Sequence, residues 1–280
     1  MVETGAQILA KATSKLRLVN IPTPARDARR LLAYALQIPQ ARLTLNLDKP
    51  LSVDVQARFD RAIEARTGRK PVSQIVGKRA FFGHDFIVTP DVLDPRPETE
   101  IVVQLALDTP ANRILDLGTG SGAILLSVLG AREMATGLGT DISACALAVA
   151  ARNAENLGVV DRADFAQGRW WSAVTGSFDL ILSNPPYIAA HEMADLSPEV
   201  REHEPRIALT DGADGLSAYR EILTHLFGFL SLSGTVILEI GPTQGHAVAR
   251  MMTETGLTGV EIVKDLDNRD RVVMGQRTGR

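Results

Sequence analysis

From about residue 98 to its end the chain alternates apolar, strand-like runs with helical patterns. Few folds accommodate that alternation. "ETEIVVQLALDT" reads as a helix, "RILDL" as a buried strand, and "GTGSGAILLSVLGA" as a glycine turn opening a helix. "GLGTDIS" ends a second strand, and "ACALAVAARNAENLG" is a helix closed by Gly158. "ADFAQG" and "FDLILSN" follow as strands, "SAYREILTHLFGFL" as a helix and "GTVILEI" as a strand. "QGHAVARMMTETG" is a further helix, and "GVEIVKDL" and "RVVMGQ" are the last strands. Such a series implies a mostly parallel sheet with helices on both faces, so the fold class is α/β.

The first part of the chain has a different period. In residues 1–70, Ile8, Leu9, Ala12 and Leu16 recur at helical spacing. Leu31, Leu32, Ala35 and Leu36 form a second stripe after Pro24, and Val55, Phe59 and Ile63 a third. Ser52 suits an N-cap and Gly68 a stop, with loops at Pro39 and Pro50. This predicts a small helical bundle. Residues 71–97 break the pattern: "RAFFGHDFIV" reads as a hairpin around Gly83–His84, and "TPDVLDPRP" as a proline-stiffened linker. The expected organisation is therefore 1–70, 71–97 and 98–280.

Charge divides along the same line. Residues 1–80 hold 15 Lys and Arg against 6 Asp and Glu, a balance of +9; the remainder holds 15 against 27, a balance of −12. Opposite signs suggest two domains with different tasks. No apolar run reaches the roughly 18–20 residues of a membrane span, and the first residues do not read as a secretory signal or a transit peptide. The single cysteine, Cys145, cannot form an internal disulfide, which suits a reducing compartment. The expectation is a cytoplasmic protein, with Cys145 as a small packed residue of its helix. His84 and His203 read as surface residues, and no His/Cys cluster has metal-ligand spacing, so no metal is expected.

Two segments carry chemistry. In "LDLGTGSGAI", Gly118, Gly120 and Gly122 stand between a strand and a helix, where the sheet of an α/β protein docks nucleotide-like ligands. Asp141 follows Gly122 by 19 residues, at the next strand's end, where a carboxylate can accept both hydroxyls of a ribose. A dinucleotide and S-adenosylmethionine both fit so far. The G-x-G-x-G spacing and the carboxylate of Asp116 favour the second, because an acid near the loop suits an ammonium better than a pyrophosphate. That spacing disfavours a nicotinamide oxidoreductase.

The other segment is "SNPPYI", at the end of the strand "FDLILSN". Carboxyl ends of strands are where open α/β sheets place their reaction centres. Asn184 offers an amide oxygen, and the Pro185 carbonyl a second acceptor, held by a proline pair that fixes two φ angles. Two fixed acceptors can grip both hydrogens of a planar –NH₂, and Tyr187 offers a flat surface against that plane. A planar amine is a poor nucleophile; positioned acceptors favour charge build-up on its nitrogen. An amide and the adenine N6 are both compatible. The acidic balance of the later residues argues against a nucleic-acid substrate, and the complete Asn-Pro-Pro-Tyr against a non-catalytic binding module.

"PVSQIVGKRAFFGHDFIV", "DPRPETE", "ILDLGTGSGAI", "NPPYI", "EPRIALTDGADGLSAYREI", "LEIG" and "RDRVV" stand in the order seen in peptide chain release factor glutamine methyltransferases, which the chain resembles from about residue 71 onward. The resemblance implies a helical substrate-recognition domain, a β-hairpin linker and a Rossmann-like class I methyltransferase domain. It implies methylation at N5 of the glutamine in a Gly-Gly-Gln loop of release factors, with S-adenosylhomocysteine as by-product; a ribosomal-protein glutamine would use nearly the same motifs. By position, Gly118, Thr119, Gly120, Ser121 and Gly122 would hold the methionine end of the cofactor, Asp141 the ribose, and Trp170 the adenine. Asn184, also beside the cofactor, would grip the glutamine amide with Pro185, Pro186 and Tyr187. Two departures stand out. Asp94 replaces the usual aliphatic residue before "PRPETE", as an exposed acid, and "GRWW" offers Trp171 as a second candidate beside the adenine.

Overall fold

The computed structural model describes residues 3–279; Met1, Val2 and Arg280, which the expected domains include, lie outside the described residues. The first helices are α1 (Gly5–Leu18), α2 (Pro24–Leu36), α3 (Val53–Thr67) and α4 (Val72–Val76). A hairpin of β1 (Lys78–Phe81) and β2 (His84–Ile87) follows. Next come α5 (Glu100–Asp108), β3 (Arg113–Leu117), α6 (Ala123–Ala131), β4 (Thr136–Asp141), α7 (Ala144–Leu157), β5 (Ala163–Gln167) and β6 (Phe178–Ser183). Short helices α8 (Pro198–His203) and α9 (Arg206–Leu209) precede α10 (Ser217–His225), β7 (Leu230–Glu239), α11 (Gly245–Thr255), β8 (Thr258–Lys264) and β9 (Asp270–Gln276). The chain forms two compact units, residues 1–77 with 197–203, and residues 78–196 with 204–280.

In the first unit, helix α1 starts with a capping box. The Gln7 N–H donates to Thr4 Oγ1 at 3.4 Å and the Thr4 N–H to Gln7 Oε1 at 3.0 Å. Pro24 opens α2, and Ser52 caps α3 by accepting from the Val55 N–H. The helical stripes meet in one core through Leu16, Leu31, Leu32, Phe59 and Ile63. The stretch after Pro39 is more than a loop: a 3-10 helix over Gln40–Asn46 plants Leu43 in that core. Helix α4 lies in the stretch read as linker and belongs to this unit.

Not all of the unit's cations face solvent. Arg66 is 5% exposed, and its Nε donates to Asp27 Oδ2 at 2.9 Å. Its Nη2 donates to Glu199 Oε1, on α8, at 3.0 Å. Removing one member of such a group leaves the others buried and uncompensated. His203, read as a surface residue, is partly buried, with Nε2 3.1 Å from the Gly68 carbonyl oxygen.

The second unit is built on a seven-stranded sheet of order β5-β4-β3-β6-β7-β9-β8. All neighbours are parallel except β9, which runs antiparallel to β7 and β8. Side chains alternate along each central strand: Ile114, Leu180 and Leu182 enter one apolar layer, Leu115, Leu117 and Ile181 the other. A parallel sheet covered on both faces needs such unbroken apolar strands. Strand order reverses between β3 and β6, which opens a crevice beyond their carboxyl ends. The β1–β2 hairpin turns at Phe82 and Gly83, both at positive φ, and packs Phe81 edge-on to Phe86.

Two expectations are corrected. Cys145 is exposed on α7, not packed, because Ala146, Val149 and Ala150 supply that helix's buried side. Asp94 is 5% exposed rather than a surface acid, and the Arg79 guanidinium stands 3.7 Å from its carboxylate.

Candidate active site

A cavity of about 480 Å³ opens at the crevice beyond β3 and β6, well within the size of small-ligand pockets. Gly118, Thr119, Gly120 and Ser121 line one end, beside Asp141 and Trp170; Asn184, Pro186 and Thr99 line another part. Gly122, Pro185 and Tyr187 are not on its wall.

The glycine loop is shaped by its own backbone. Gly118 and Thr119 both donate their N–H to the Thr140 carbonyl, at 2.8 and 2.9 Å. The Gly120 N–H donates to Asp141 Oδ2 at 3.0 Å, and the Gly122 N–H to the Thr119 carbonyl at 2.8 Å. These commitments leave little of the loop's amide array for a phosphate. Gly122 must be glycine on two counts: its φ is +80°, and a Cβ there would stand 2.7 Å from Leu126 Cδ1.

Two carboxylates flank the loop. Asp141, at the end of β4, accepts from the Gly120 N–H through Oδ2 and from the Ser143 N–H through Oδ1. Burial raises its pKa, partly countered by those bonds. Asp116 is fully buried behind the loop; Thr119 Oγ1 donates to its Oδ2 at 2.7 Å, and its Oδ1 has no partner. Burial pushes its pKa up to about 7, against the pull of the Thr119 hydroxyl. Such an orphaned oxygen is costly unless a donor arrives.

The two tryptophans separate cleanly. Trp170 adopts φ +46°, uncommon for a bulky residue, and lies on the cavity wall near Gly118, its Nε1 buried without a partner. Trp171 is a core residue, stacked on Phe229 at 4.8 Å and donating to the Glu221 carbonyl.

At the other end, β6 runs into Asn184. Ser183 Oγ donates to the Leu117 carbonyl at 2.6 Å, which ties the ends of β6 and β3 together. Asn184 Nδ2 donates to Thr99 Oγ1 at 3.3 Å. Pro185 is buried, and the Tyr187 ring packs against Gly241 and the second core layer. Burial, then the nearby Glu239 carboxyl, push the Tyr187 phenol up to about 12, so it stays protonated. Beyond the segment, Ile188 donates to the Leu209 carbonyl and Gln244 Nε2 to the Tyr187 carbonyl. Arg96 grips the buried Glu204 carboxylate at 2.5 and 2.7 Å, joining "RPETE" to "EPRIAL". Thr99 and Glu239 were not singled out from the sequence. Both sit in segments that carry the resemblance, "RPETE" and "LEIG", but no local pattern marks Thr99 as the partner of Asn184 or Glu239 as a charge near Tyr187. Among the described residues, no group of His, Cys, Asp and Glu could hold a metal ion, and no helix is long and apolar enough to cross a membrane.

Residues 91–203 match the methyltransferase small domain, and residues 7–77 the PrmC N-terminal domain. A methyltransferase from Pyrococcus furiosus has the same fold at TM-score 0.55 and 17% identity, over 80% of this chain and 100% of that one. Fold and site define a Rossmann-like methyltransferase of the class that uses S-adenosylmethionine. A release factor glutamine methyltransferase of Cereibacter sphaeroides is 52% identical over 96% of this chain and 97% of its own. One from Caulobacter vibrioides is 42% identical over 98% and 97%. The chain belongs to the release factor glutamine methyltransferase family.

Proposed function

We propose that this enzyme methylates the side-chain amide nitrogen of the glutamine in the Gly-Gly-Gln loop of peptide chain release factors. The observation that carries this reading is Asn184. One Nδ2 hydrogen is donated to Thr99, an orientation that leaves Oδ1 without a donor among the described residues and able to accept from a planar amide at the cavity. The Pro185 carbonyl is assigned as the second acceptor from the motif and its proline pair, although Pro185 is buried and off the cavity wall.

The residues present fit S-adenosylmethionine. Asp116 Oδ1 lacks a donor and suits an ammonium; Asp141 keeps lone pairs for ribose hydroxyls; Trp170 offers an indole face and an unpaired Nε1 for the adenine side. Gly118, Thr119, Gly120 and Ser121 form the backbone wall for the methionine end, and Gly122, off that wall, shapes the turn behind them. The committed N–H groups of that loop count against a pyrophosphate ligand.

When bound, the cofactor supplies a methyl on a sulfonium, whose C–S electron pair stays on sulfur to leave S-adenosylhomocysteine. Asn184 Oδ1 and the Pro185 carbonyl orient the amide and stabilise positive charge gathering on its nitrogen. The proton released as the N–C bond forms goes to solvent; Tyr187, held protonated, is not its acceptor. Pro186 shapes the wall beside the amide, and Tyr187 buttresses the turn from behind. The basic first unit is proposed to attract an acidic face of the release factor and raise the encounter rate.

Full-length protein incubated with labelled S-adenosylmethionine and purified release factor should place one label on that glutamine, located by mass mapping. Label on a ribosomal protein or on RNA, with none on the release factor, would refute the assignment.

A further inference from the structure

Helix α11 starts without a side-chain cap. Gln244 holds its N-cap position, where Ser, Thr, Asp or Asn usually turns an oxygen to the helix's own N–H groups. Here the side chain points elsewhere. Its Oε1 accepts from the Gly241 N–H at 3.0 Å, and its Nε2 donates to the Tyr187 carbonyl at 2.9 Å and to the Gly215 carbonyl at 3.1 Å. A backbone N–H can only donate and a carbonyl can only accept, so these three partners admit one orientation of the amide.

The two carbonyls belong to different stretches around the cavity. The prolines of the Asn-Pro-Pro-Tyr turn lack N–H groups, and their rings fix φ but not ψ. The entrance of the turn is set by β6 and the Ser183 hydroxyl. At its exit, one peptide unit is held on both sides: the Ile188 N–H donates to the Leu209 carbonyl at 3.0 Å, and the Tyr187 carbonyl accepts from Gln244. One bond would let that plane pivot; two set it. Gly215 closes a loop folded round Asp211, whose carboxylate accepts from the N–H groups of Ala213, Gly215 and Ser217. Asp211 and Ser217 stand on the cavity wall. The approach is tight: a Cβ on Gly215, at φ +78°, would strike the Tyr187 carbonyl oxygen.

Resting on the proposed reaction, we infer that Gln244 is a positioning residue. It locks the exit of the Asn-Pro-Pro-Tyr turn to the Asp211 loop and so sets the direction in which Asn184 presents its acceptor. Gln244 is not itself on the cavity wall, so it acts through the turn. Both hydrogens of its amide are needed. A glutamate would keep an acceptor for Gly241 but set a charge against two carbonyls. A methionine would keep the length and offer no donor.

The test compares wild type with Gln244→Met, Gln244→Glu and Tyr219→Phe. The last removes a hydroxyl that donates to the Glu239 carbonyl at 2.9 Å in the same cluster, and leaves both Gln244 donors in place. Both Gln244 variants should lower kcat on release factor about tenfold, with KM for the release factor and the calorimetric affinity for S-adenosylmethionine unchanged. Tyr219→Phe should keep the wild-type kcat even where its melting temperature falls. Independently of turnover, hydrogen–deuterium exchange at Ile188 and at Gly215 in the ligand-free protein should quicken in Gln244→Met and stay slow in Tyr219→Phe. Wild-type kcat in either Gln244 variant, a loss confined to KM or cofactor affinity, an equal fall of kcat in Tyr219→Phe, or unchanged exchange in Gln244→Met would overturn the positioning role. Absence of glutamine methylation by wild type, with exchange quickening as stated, would instead sink the reaction and leave the clamp intact.

Discussion

The two ends of the cavity are built on different principles. At the glycine loop, geometry comes from backbone: positive φ angles, N–H groups closed onto Thr140, Asp141 and Thr119, and a helix packed so closely that Gly122 has no room for a Cβ. At the Asn-Pro-Pro-Tyr turn, geometry comes from side chains far apart in sequence, with Asn184 donating to Thr99 and Gln244 donating to the Tyr187 carbonyl. The first end can be specified within one strand–loop–helix–strand run. The second exists only when three distant stretches of chain meet. On the proposed function, a ligand common to many enzymes would need only the former, and choosing one nitrogen to methylate would require the latter.

Substitutions should separate the two ends. The largest effect belongs to Asn184→Ala, which should slow methyl transfer by at least ~10²-fold through loss of a placed acceptor, while calorimetric S-adenosylmethionine binding persists. Turnover close to wild type would dissolve the distinction. Asp141→Ala should do the reverse, weakening the cofactor by roughly 1–3 kcal/mol for unpaired hydroxyls with kcat at saturation retained. A smaller change follows at the loop's frame: Gly122→Ala meets Leu126 at 2.7 Å and a φ of +80°, and should cost about 1–2 kcal/mol in urea unfolding. A variant as stable as wild type would show that the loop is not held by that contact.

The subtlest test uses pH. Asp116 and Glu239, one at each end, both have folded pKa values raised to about 7 by burial, from ordinary values of 3.8 and 4.5. The folded state keeps protons that the unfolded state has released. Their contribution to stability is therefore complete below the unfolded values and is lost as pH rises through about 7. Urea midpoints of the ligand-free protein should fall between pH 5 and pH 8, and Asp116→Asn should flatten the slope by removing one contribution. An equal slope in that variant would mean that Asp116 titrates normally.

What could be read from the sequence follows the same division. The α/β alternation was legible because a parallel sheet covered on both faces demands continuous apolar strands such as "RILDL" and "FDLILSN". Gly118, Gly120 and Asp141 could be brought to one place because a βα turn and the end of the neighbouring strand are adjacent by topology. Asn184 could be placed for the same reason, since β6 lies beside β3. Thr99 and Glu239 could not, because nothing local records that a hydroxyl at residue 99 meets an amide 85 positions later. Asp94 misled because its cation, Arg79, lies on β1, and burial of a charge depends on the partner. Trp170 and Trp171 are chemically identical; only the backbone turn at φ +46° sends one to the cavity and leaves the other in the core.

The first unit is not a continuous piece of chain: α8, from beyond the Asn-Pro-Pro-Tyr turn, completes it through Glu199 against Arg66. Its inheritance is accordingly not modular. A recombination at residue 77 that exchanged the leading segment between relatives would carry Arg66 and Asp27 but leave Glu199 behind. The leading segment and α8 are thus expected to change together, by paired substitutions on both sides of the junction rather than by shuffling.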